Sequence, residues 1–125
     1  MPFEIANKGD FFLVRFFGVV TANDLACFAV EAMIAEDAQP ASMDRITDLT
    51  EVERFDVGYA EINALAARRK LRHFTKRIKS AIVTDHDDQY SLAKMFQMLN
   101  DHPQIDIRVW YSVDEAKDWL AFKSE

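Results

Sequence analysis

The feature that most constrains the fold of this chain is a regular alternation of short apolar segments with segments of helical periodicity, starting after a hairpin. Asn7-Lys8-Gly9-Asp10 tolerates the positive φ of a tight turn and joins two extended segments, residues 3–6 and 11–20. The later apolar segments are residues 45–49, 80–84 and 105–111, and a helical pattern follows each of them. Strands that alternate with helices pair in parallel through right-handed crossovers. The sequence therefore predicts an α/β fold of order ββαβαβαβα, with a mixed, mostly parallel sheet and the N-terminal β-hairpin at its edge.

Composition indicates one compact domain. The chain has 125 residues, of which 50% are hydrophobic, with three glycines and three prolines. A chain of this size can bury a single core, so residues 1–125 are expected to form one domain. Cys27 is the only cysteine of the sequence, which excludes an intrachain disulfide and fits a reducing cytoplasm.

Charge and hydropathy argue against other classes of protein. The net charge is −6 at neutral pH, which disfavours binding to the phosphate backbone of nucleic acids. No apolar run reaches the roughly 18 residues of a membrane span, and residues 1–5 do not resemble a basic leader peptide. We expect a cytoplasmic protein with no nucleic-acid partner and no membrane insertion.

The first helix is more apolar than a helix lying on a sheet needs to be. Thr21 and Asp24 predict its amino-terminal cap, and the helix is expected to run to about Asp37. Its apolar residues point into more than one sector, which indicates a second buried surface. That surface is a homodimer interface, the wall of an apolar ligand pocket, or ordinary packing against neighbouring elements. The residues predicted for the interface are Leu25, Phe28 and Met33.

Two acidic segments are predicted to meet at one edge of the sheet. The strand at residues 45–49 is expected to stop at an Asp48-Leu49-Thr50 turn, and the second helix to run from Asp56 to about Phe74. The carboxyl ends of parallel strands share an edge, where open α/β sheets usually bind ligands, so the loops at residues 48–56 and 84–90 should lie together. The residues predicted to bind a ligand or partner there are Asp48, Thr50, Asp56, Asp85, His86 and Tyr90.

The acidic residues of this edge have a structural and a functional interpretation. They could hold a hard cation or attract a basic peptide, but they also suit helix amino termini, and their spacing matches no known metal loop. We therefore predict no metal site and no cofactor. His86 has carboxylates on both sides that could position it as a general acid or base. The simpler interpretation is that His73, His86 and His102 are solvated surface residues.

A cluster of basic residues lies in the second half of the second helical pattern and just beyond it. It supplies seven of the 15 Lys and Arg residues: Arg68, Arg69, Lys70, Arg72, Lys76, Arg77 and Lys79. These cations either complement the carboxyl end of the helix dipole or dock phosphate groups or an acidic partner. Because that helix runs back along the strands, its basic end is expected opposite the acidic edge.

The element order and two short motifs resemble a known family. Asp48-Leu49-Thr50-x-Val52 and the closing Asp114-Glu115-Ala116-x-x-Trp119-Leu120 are similar to those of the STAS domains, in particular the small stand-alone SpoIIAA-like bacterial relatives of anti-sigma-factor antagonists. The resemblance covers nearly the whole chain. It implies a module that binds proteins or small ligands and usually performs no catalysis. In the antagonists a serine at the head of the second helix accepts phosphate, whereas the matching run here, Asp56-Val57-Gly58-Tyr59, has Val57 at that position.

Three functions are compatible with these features. The first is a non-catalytic STAS-like module that engages a protein partner in a regulatory role and forms a homodimer. The second is a carrier of a small apolar or lipid-like ligand, because the SpoIIAA-like group is also similar in topology to lipid-binding SEC14-type folds. The third is a small hydrolase or isomerase that uses His86 with Asp85 or Asp48. An enclosed apolar cavity between the first two helices and the loops of the carboxyl edge would favour the carrier, and a filled core would favour protein contact.

Overall fold

The computed structural model, which describes residues 2–122, contains a five-stranded sheet and four helices. The elements in chain order are β1 (Phe3–Asn7), β2 (Phe11–Thr21), α1 (Ala22–Asp37), β3 (Asp44–Asp56), α2 (Tyr59–Lys70), β4 (Ile78–Val83), α3 (Asp87–Leu99), β5 (Ile105–Trp110) and α4 (Val113–Ala121). The strands lie side by side in chain order, with β1 antiparallel to β2 and every later pair parallel. The predicted order ββαβαβαβα and the mixed, mostly parallel sheet are confirmed.

Local sequence signals account for the ends of several elements. Gly9 adopts φ +94° in the hairpin turn, and its backbone N–H donates to Asn7 Oδ1 at 2.8 Å. Thr21 caps α1 in a capping box with Asp24, whose carboxylate accepts from the backbone and hydroxyl of Thr21. Ser112 caps α4 by accepting from the backbone N–H of Glu115 at 3.1 Å.

The sheet separates two apolar cores. The larger core lies under α1, α2 and α3, which contribute Phe28, Ile62 and Ala93 against the alternate side chains Val14 and Phe16 of β2. On the opposite face, Ala116 and Trp119 of α4 pack against a smaller core of Leu13, Ile46, Ala81 and Val83. The period-two alternation of the strands thus supplies two buried faces, as the sequence of β2 predicts.

Strand β3 runs through the Asp48-Leu49-Thr50 segment, where the sequence predicted a turn and a loop. The segment is a β-bulge: Arg15 pairs with Asp48 and Phe17 with Glu51, so β3 holds one more residue than β2 between those pairs. The strand continues because Leu49 and Val52 are both buried in the larger core and β2 remains its partner as far as Asp56. The prediction of a turn followed by a loop over residues 48–56 is therefore wrong.

Helix α2 is shorter than the predicted span from Asp56 to Phe74. It begins after Gly58, whose backbone N–H donates to Glu61 Oε1 at 3.1 Å. Past its end, Phe74 exchanges two hydrogen bonds with the side chain of Gln104, at 3.0 and 2.8 Å. His102 Nε2 lies 2.7 Å from the carbonyl oxygen of Arg72. These tertiary bonds hold residues 72–74 outside the helix, and they place His102 in the interior, so its predicted solvated position is wrong.

Candidate functional site

The residues predicted for the carboxyl edge occupy separate surroundings. Asp48 is buried, and its Oδ1 accepts from the backbone N–H and the hydroxyl of Thr50 at 2.9 and 2.7 Å. Asp56 is exposed at the last position of β3, in register with Thr21. Asp48 and Thr50 thus shape the bulge, while Asp56 lies at the far tip of the strand.

Thr50 and His86 both line an open groove of about 390 Å³ between β3 and the start of α3. His86 Nδ1 lies 2.6 Å from Asp85 Oδ1, and both side chains are exposed to solvent, as predicted for His86. Among the groove-lining residues in the described part of the chain, Thr50 carries the one hydroxyl. That hydroxyl donates to Asp48. The hydroxyl of Thr50 is therefore bonded to Asp48 and not to His86.

Tyr90 contributes a different feature of the same edge. Its ring stacks on that of Tyr111 with centroids 6.3 Å apart and an interplanar angle of 8°, although the two residues are 38% and 66% exposed. The pair adjoins the acidic first turns of two helices, which hold Asp87, Asp88, Asp114 and Glu115. The edge thus presents an aromatic surface between negative charges.

Gln89 is a buried residue of this edge that the sequence analysis missed. Its Nε2 donates to the carbonyl oxygens of Val52 at 3.1 Å and Thr50 at 3.5 Å, and its Oε1 accepts from the backbone N–H of Asp85 at 2.9 Å. β4 pairs with β3 only from Arg45 to Asp48, so this side chain takes over the strand's hydrogen bonding beyond that point. In the sequence, its place at the start of the third helix is the one feature that indicates a position near this edge.

A cavity of about 310 Å³, half open to solvent, lies between α1 and α2, at the opposite end of the sheet from the acidic edge and its loops. Arg45 at the start of β3, and Glu36 and Arg69 in the last turns of α1 and α2, fix its place near the amino ends of the parallel strands. Most of the lining is apolar: Phe28, Ala29, Val30, Ala32, Met33, Leu65, Leu71 and Phe96. A smaller void of about 60 Å³ continues it toward the sheet and shares Phe28, Arg45, Leu65, Arg69 and Phe96.

A buried ion-pair cluster borders the cavity. Glu36 accepts from Arg45 at 3.0 Å and from Arg69 Nη1 at 2.7 and 2.8 Å, and these three side chains are 12%, 9% and 10% exposed. Arg72 donates to Asp37 at 2.6 Å and lies 3.8 Å from Glu36. One carboxylate thus faces three guanidinium groups in an environment that excludes most water.

The ionisation of the cluster reflects burial and charge together. Burial by itself raises the pKa of Glu36, but attraction to Arg45, Arg69 and Arg72, with the hydrogen bond from Arg69, brings the net pKa below its ordinary value. Burial lowers the pKa of Arg69 to about 10, and repulsion from Arg45 adds to this effect while Glu36 opposes it. Glu36 and Arg69 therefore both carry charge at neutral pH.

Two arginines of the cluster retain polar atoms without a protein partner. Among residues 2–122, no hydrogen-bond acceptor reaches the buried atoms Nη2 of Arg69 or Nε of Arg72. The Arg69 guanidinium lies 5.0 Å from the Phe74 ring centroid, and that of Arg45 lies 5.5 Å from Phe28. Both guanidinium groups thus lie within cation–π distance of an aromatic ring.

Two residues of the basic cluster have a role other than complementing the helix dipole or docking an anion: they form ion pairs within the chain. Arg69 and Arg72 bind carboxylates of α1 that lie 33 and 35 positions away in the chain. No local spacing indicates such a contact. The basic end of α2 does lie opposite the acidic edge, since it approaches the amino ends of the parallel strands.

Two of the residues predicted for a subunit interface belong to the chain's own core. Leu25 and Phe28 are buried in the larger core, so their side chains are not available to a second subunit. Met33 is 40% exposed and lines the mouth of the cavity. The apolar excess of α1 is therefore divided between the core, the cavity wall and an exposed remainder at Val30, Met33 and Ile34.

Within residues 2–122, no three His, Cys, Asp or Glu side chains approach each other closely enough to hold a metal ion. None of the helices in this range combines the length and apolar character that crossing a bilayer requires.

Comparison with known proteins identifies the fold. No protein-family model matches this sequence, and a search of curated proteins finds no match. Among solved structures, the chain is similar to an uncharacterised protein of the DUF3478 family from Shewanella loihica PV-4, described as having a SpoIIAA-like fold. The TM-score is 0.64 at 15% sequence identity, over 95% of this chain and 92% of the other. The fold of the present protein is SpoIIAA-like, as the resemblance of its sequence predicts.

Proposed function

We propose that this protein is a non-catalytic binding module of the STAS/SpoIIAA-like type that carries a small ligand with an apolar body between α1 and α2. The observation that carries the proposal is the cavity of about 310 Å³, whose lining is mainly apolar with a few buried polar groups. Ligand sites generally have this composition and volumes of about 300–1,000 Å³. The cavity also accounts for part of the apolar surface of α1 that does not pack on the sheet.

Filling the cavity tests this proposal. Ala29 lines the cavity from α1, and Ala29→Leu adds a branched side chain to the space a ligand would occupy. Native mass spectrometry of freshly purified protein should show a co-purified small molecule in the wild type and its loss in Ala29→Leu. Ala67→Leu is the matched control, because Ala67 is an exposed alanine of α2 outside the cavity lining. A wild-type protein that repeatedly carries no such molecule, and whose melting temperature no apolar compound raises, would contradict the proposal.

A second candidate function is the binding of a basic protein segment at the carboxyl edge, in a regulatory role without a phosphate-accepting serine. The exposed stack of Tyr90 on Tyr111 beside acidic helix starts favours it, since aromatic residues are enriched at protein interfaces. Val57, which lies just before Gly58 at the head of α2, has no hydroxyl to phosphorylate. The exposed residues Asp56, Asp85, His86 and Tyr90 would make the contact, while the buried Asp48 and the half-buried Thr50 would shape the strand beneath it.

NMR mapping with a lysine-rich peptide tests the second candidate. Amide shifts should change at residues 50–56, 85–90 and 111–115, and added salt should weaken the effect because the attraction is between exposed charges. Tyr90→Ala should reduce the shifts, whereas Tyr59→Ala, which removes an exposed tyrosine at the start of α2, should not. Shifts confined to the α1–α2 side of the molecule would rule out this edge as the contact.

A further inference from the structure

We infer that a second copy of this chain binds along the outer edge of β1, in an antiparallel strand pairing centred on Ala6 that joins the two sheets into one. This contact goes beyond the proposed function, because it uses a different surface from the α1–α2 cavity and from the carboxyl edge. Three features of β1 point to it: its outward backbone groups, the charges at its two ends, and the groove beside it.

The outer edge of β1 presents free backbone groups at alternate residues. The N–H of Lys8 donates to the carbonyl oxygen of Phe11 at 2.9 Å. At the other end of the hairpin, the N–H of Phe17 donates to that of Pro2 at 2.9 Å. Bonded and outward residues alternate along an antiparallel strand, so the even-numbered residues of β1 bond to β2. The residues whose N–H and C=O groups turn outward are Phe3, Ile5 and Asn7.

Within residues 2–122, β1 is the last strand on its side of the sheet. A row of unpaired N–H and C=O groups at a sheet edge is a template for another strand. A strand of the same sequence can bind there with two-fold symmetry, because each copy then offers the same groups to the other.

The charges of this segment select the second copy as the partner and fix the register. Glu4 lies two positions before Ala6 and Lys8 two positions after it, and both side chains are exposed. In an antiparallel pairing centred on Ala6, Glu4 of each copy is directly opposite Lys8 of the other. The same register bonds the outward groups of Ile5 to those of Asn7. A pairing centred on Ile5 instead places the two Glu4 side chains in diagonal positions, where like charges repel.

An open groove beside β1 extends the same surface. It has a volume of about 530 Å³ and lies between β1 and the second half of α1, with Ile5, Asn7, Ile34 and Ala38 among its lining residues. The two-fold axis of such a strand pair is perpendicular to the sheet, so both copies keep α1 on the same face and their grooves adjoin. Ile34, which is 62% exposed, then faces the second copy instead of solvent.

Hydrogen exchange of the full chain, followed by NMR at high and low protein concentration, tests the backbone contact. The amide protons of Ile5 and Asn7 should be protected in the concentrated protein and should exchange freely after dilution. The amide proton of Ala6 bonds to β2 and should be protected at both concentrations, so it is the internal control. Free exchange at Ile5 and Asn7 in a sample that light scattering shows to be dimeric would overturn the inference.

Light scattering over a concentration series tests the charge pairs. Lys8→Glu should raise the dissociation constant of the dimer about tenfold, because it replaces two attractive pairs by two repulsive ones. Adding Glu4→Lys to that variant restores opposite charges across the axis and should return the constant to within about threefold of the wild type. Lys117→Glu makes the same change of charge at an exposed position of α4 and should have no effect. Thermal unfolding of each variant checks that it is folded.

The outcomes separate this contact from the other proposals. Equal weakening by Lys8→Glu and Lys117→Glu, or a loss in Lys8→Glu that Glu4→Lys does not reverse, would overturn the strand pairing. A dimer that Ile34→Asp dissociates while the amides of Ile5 and Asn7 exchange freely would place the contact on α1 alone and overturn it as well. A wild-type protein that is monomeric at the concentrations used for hydrogen exchange would overturn the inference and leave the proposed ligand of the α1–α2 cavity standing.

Discussion

At the scale of single residues, Glu36 joins the buried arginines into one ion-pair cluster. It is the carboxylate that Arg45 and Arg69 both bind, and all three side chains are about nine-tenths buried. Such a cluster is not in itself evidence of high stability, since desolvation offsets much of the attraction. Removing only the carboxylate is different, because it leaves buried positive charges that repel each other.

Glu36→Gln is therefore expected to destabilise the protein by about 3–5 kcal/mol at pH 7, the usual cost of removing one member of a buried ion pair. Urea unfolding followed by circular dichroism measures the change. Asp37→Asn is the matched control: Asp37 also binds Arg72, but its side chain is 62% exposed, so its loss should cost about 1 kcal/mol or less. Equal effects of the two substitutions would contradict the buried-cluster explanation.

Comparison of the wild type with Glu36→Gln also tests how stability depends on pH. The pKa of Glu36 is below its ordinary value of 4.5 in the folded protein, so the unfolded chain takes up this proton at higher pH than the folded one. The stabilising contribution of Glu36 is complete above about pH 4.5 and is lost as the pH falls from there through the folded-state pKa. The wild type should lose its advantage over Glu36→Gln in that acidic range, and an advantage that stays constant below pH 4 would contradict the assignment.

At the scale of secondary-structure elements, the continuation of β3 past β4 is the unusual feature. Beyond Asp48 the strand pairs with β2 on one side, and on its other side Gln89 of α3 binds the carbonyl oxygens of Thr50 and Val52. A side chain thus replaces a neighbouring strand. The bulge at Asp48-Leu49-Thr50 lets β3 continue past this point and keeps Val52 in the larger core.

Gln89→Ala should loosen this part of β3 specifically. It leaves buried carbonyl groups and the N–H of Asp85 without their partners, which we expect to cost about 2–4 kcal/mol. Hydrogen exchange should accelerate at residues 50–56 more than elsewhere in the sheet. Gln97→Ala is the control, because Gln97 is also on α3 and donates to a strand carbonyl, that of Ile107 in β5. Uniform acceleration across the sheet in Gln89→Ala would indicate general destabilisation instead.

At the scale of the whole molecule, the helices divide the protein into two chemically different ends. The amino-terminal turns of α3 and α4 bring acidic residues to the carboxyl edge of the sheet, while the ends of α1 and α2 enclose the buried arginines at the opposite edge. Successive parallel crossovers cause this arrangement, since every helix runs back along the strands. The proposed ligand and the proposed protein partner therefore have separate sites.

The predicted homodimer through α1 can be tested by substituting an exposed apolar residue of that helix. The exposed remainder of that helix includes Ile34, which is 62% exposed. Multi-angle light scattering should report a dimer whose dissociation constant rises in Ile34→Asp, because a buried unpaired carboxylate is costly. Asp37→Asn, at the exposed end of the same helix, should leave the dimer intact. A wild-type protein that stays monomeric at high concentration would rule out the dimer.

Most of the fold could be predicted from local patterns. The Asn7–Asp10 turn, the Thr21 and Ser112 caps and the alternating faces of β2 each depend on residues close in sequence, and the structure contains all of them. Boundaries set by distant contacts were predicted wrongly. The polar pair Asp48 and Thr50 is typical of a turn, and only the buried Val52 and the side chain of Gln89 show why the strand continues.

The candidate sites, like the fold, could be predicted from the sequence only in part. The sequence determined by itself that β-α units would place the acidic segments at residues 48–56 and 84–90 at one edge and the basic end of α2 at the other, because the alternation of strand and helix periodicity fixes the direction of each element. It also identified α1 as too apolar for a single face. Only the tertiary structure decided that the arginines turn inward to Glu36 beside a cavity, since side chains 33 positions apart meet only after the sheet has formed.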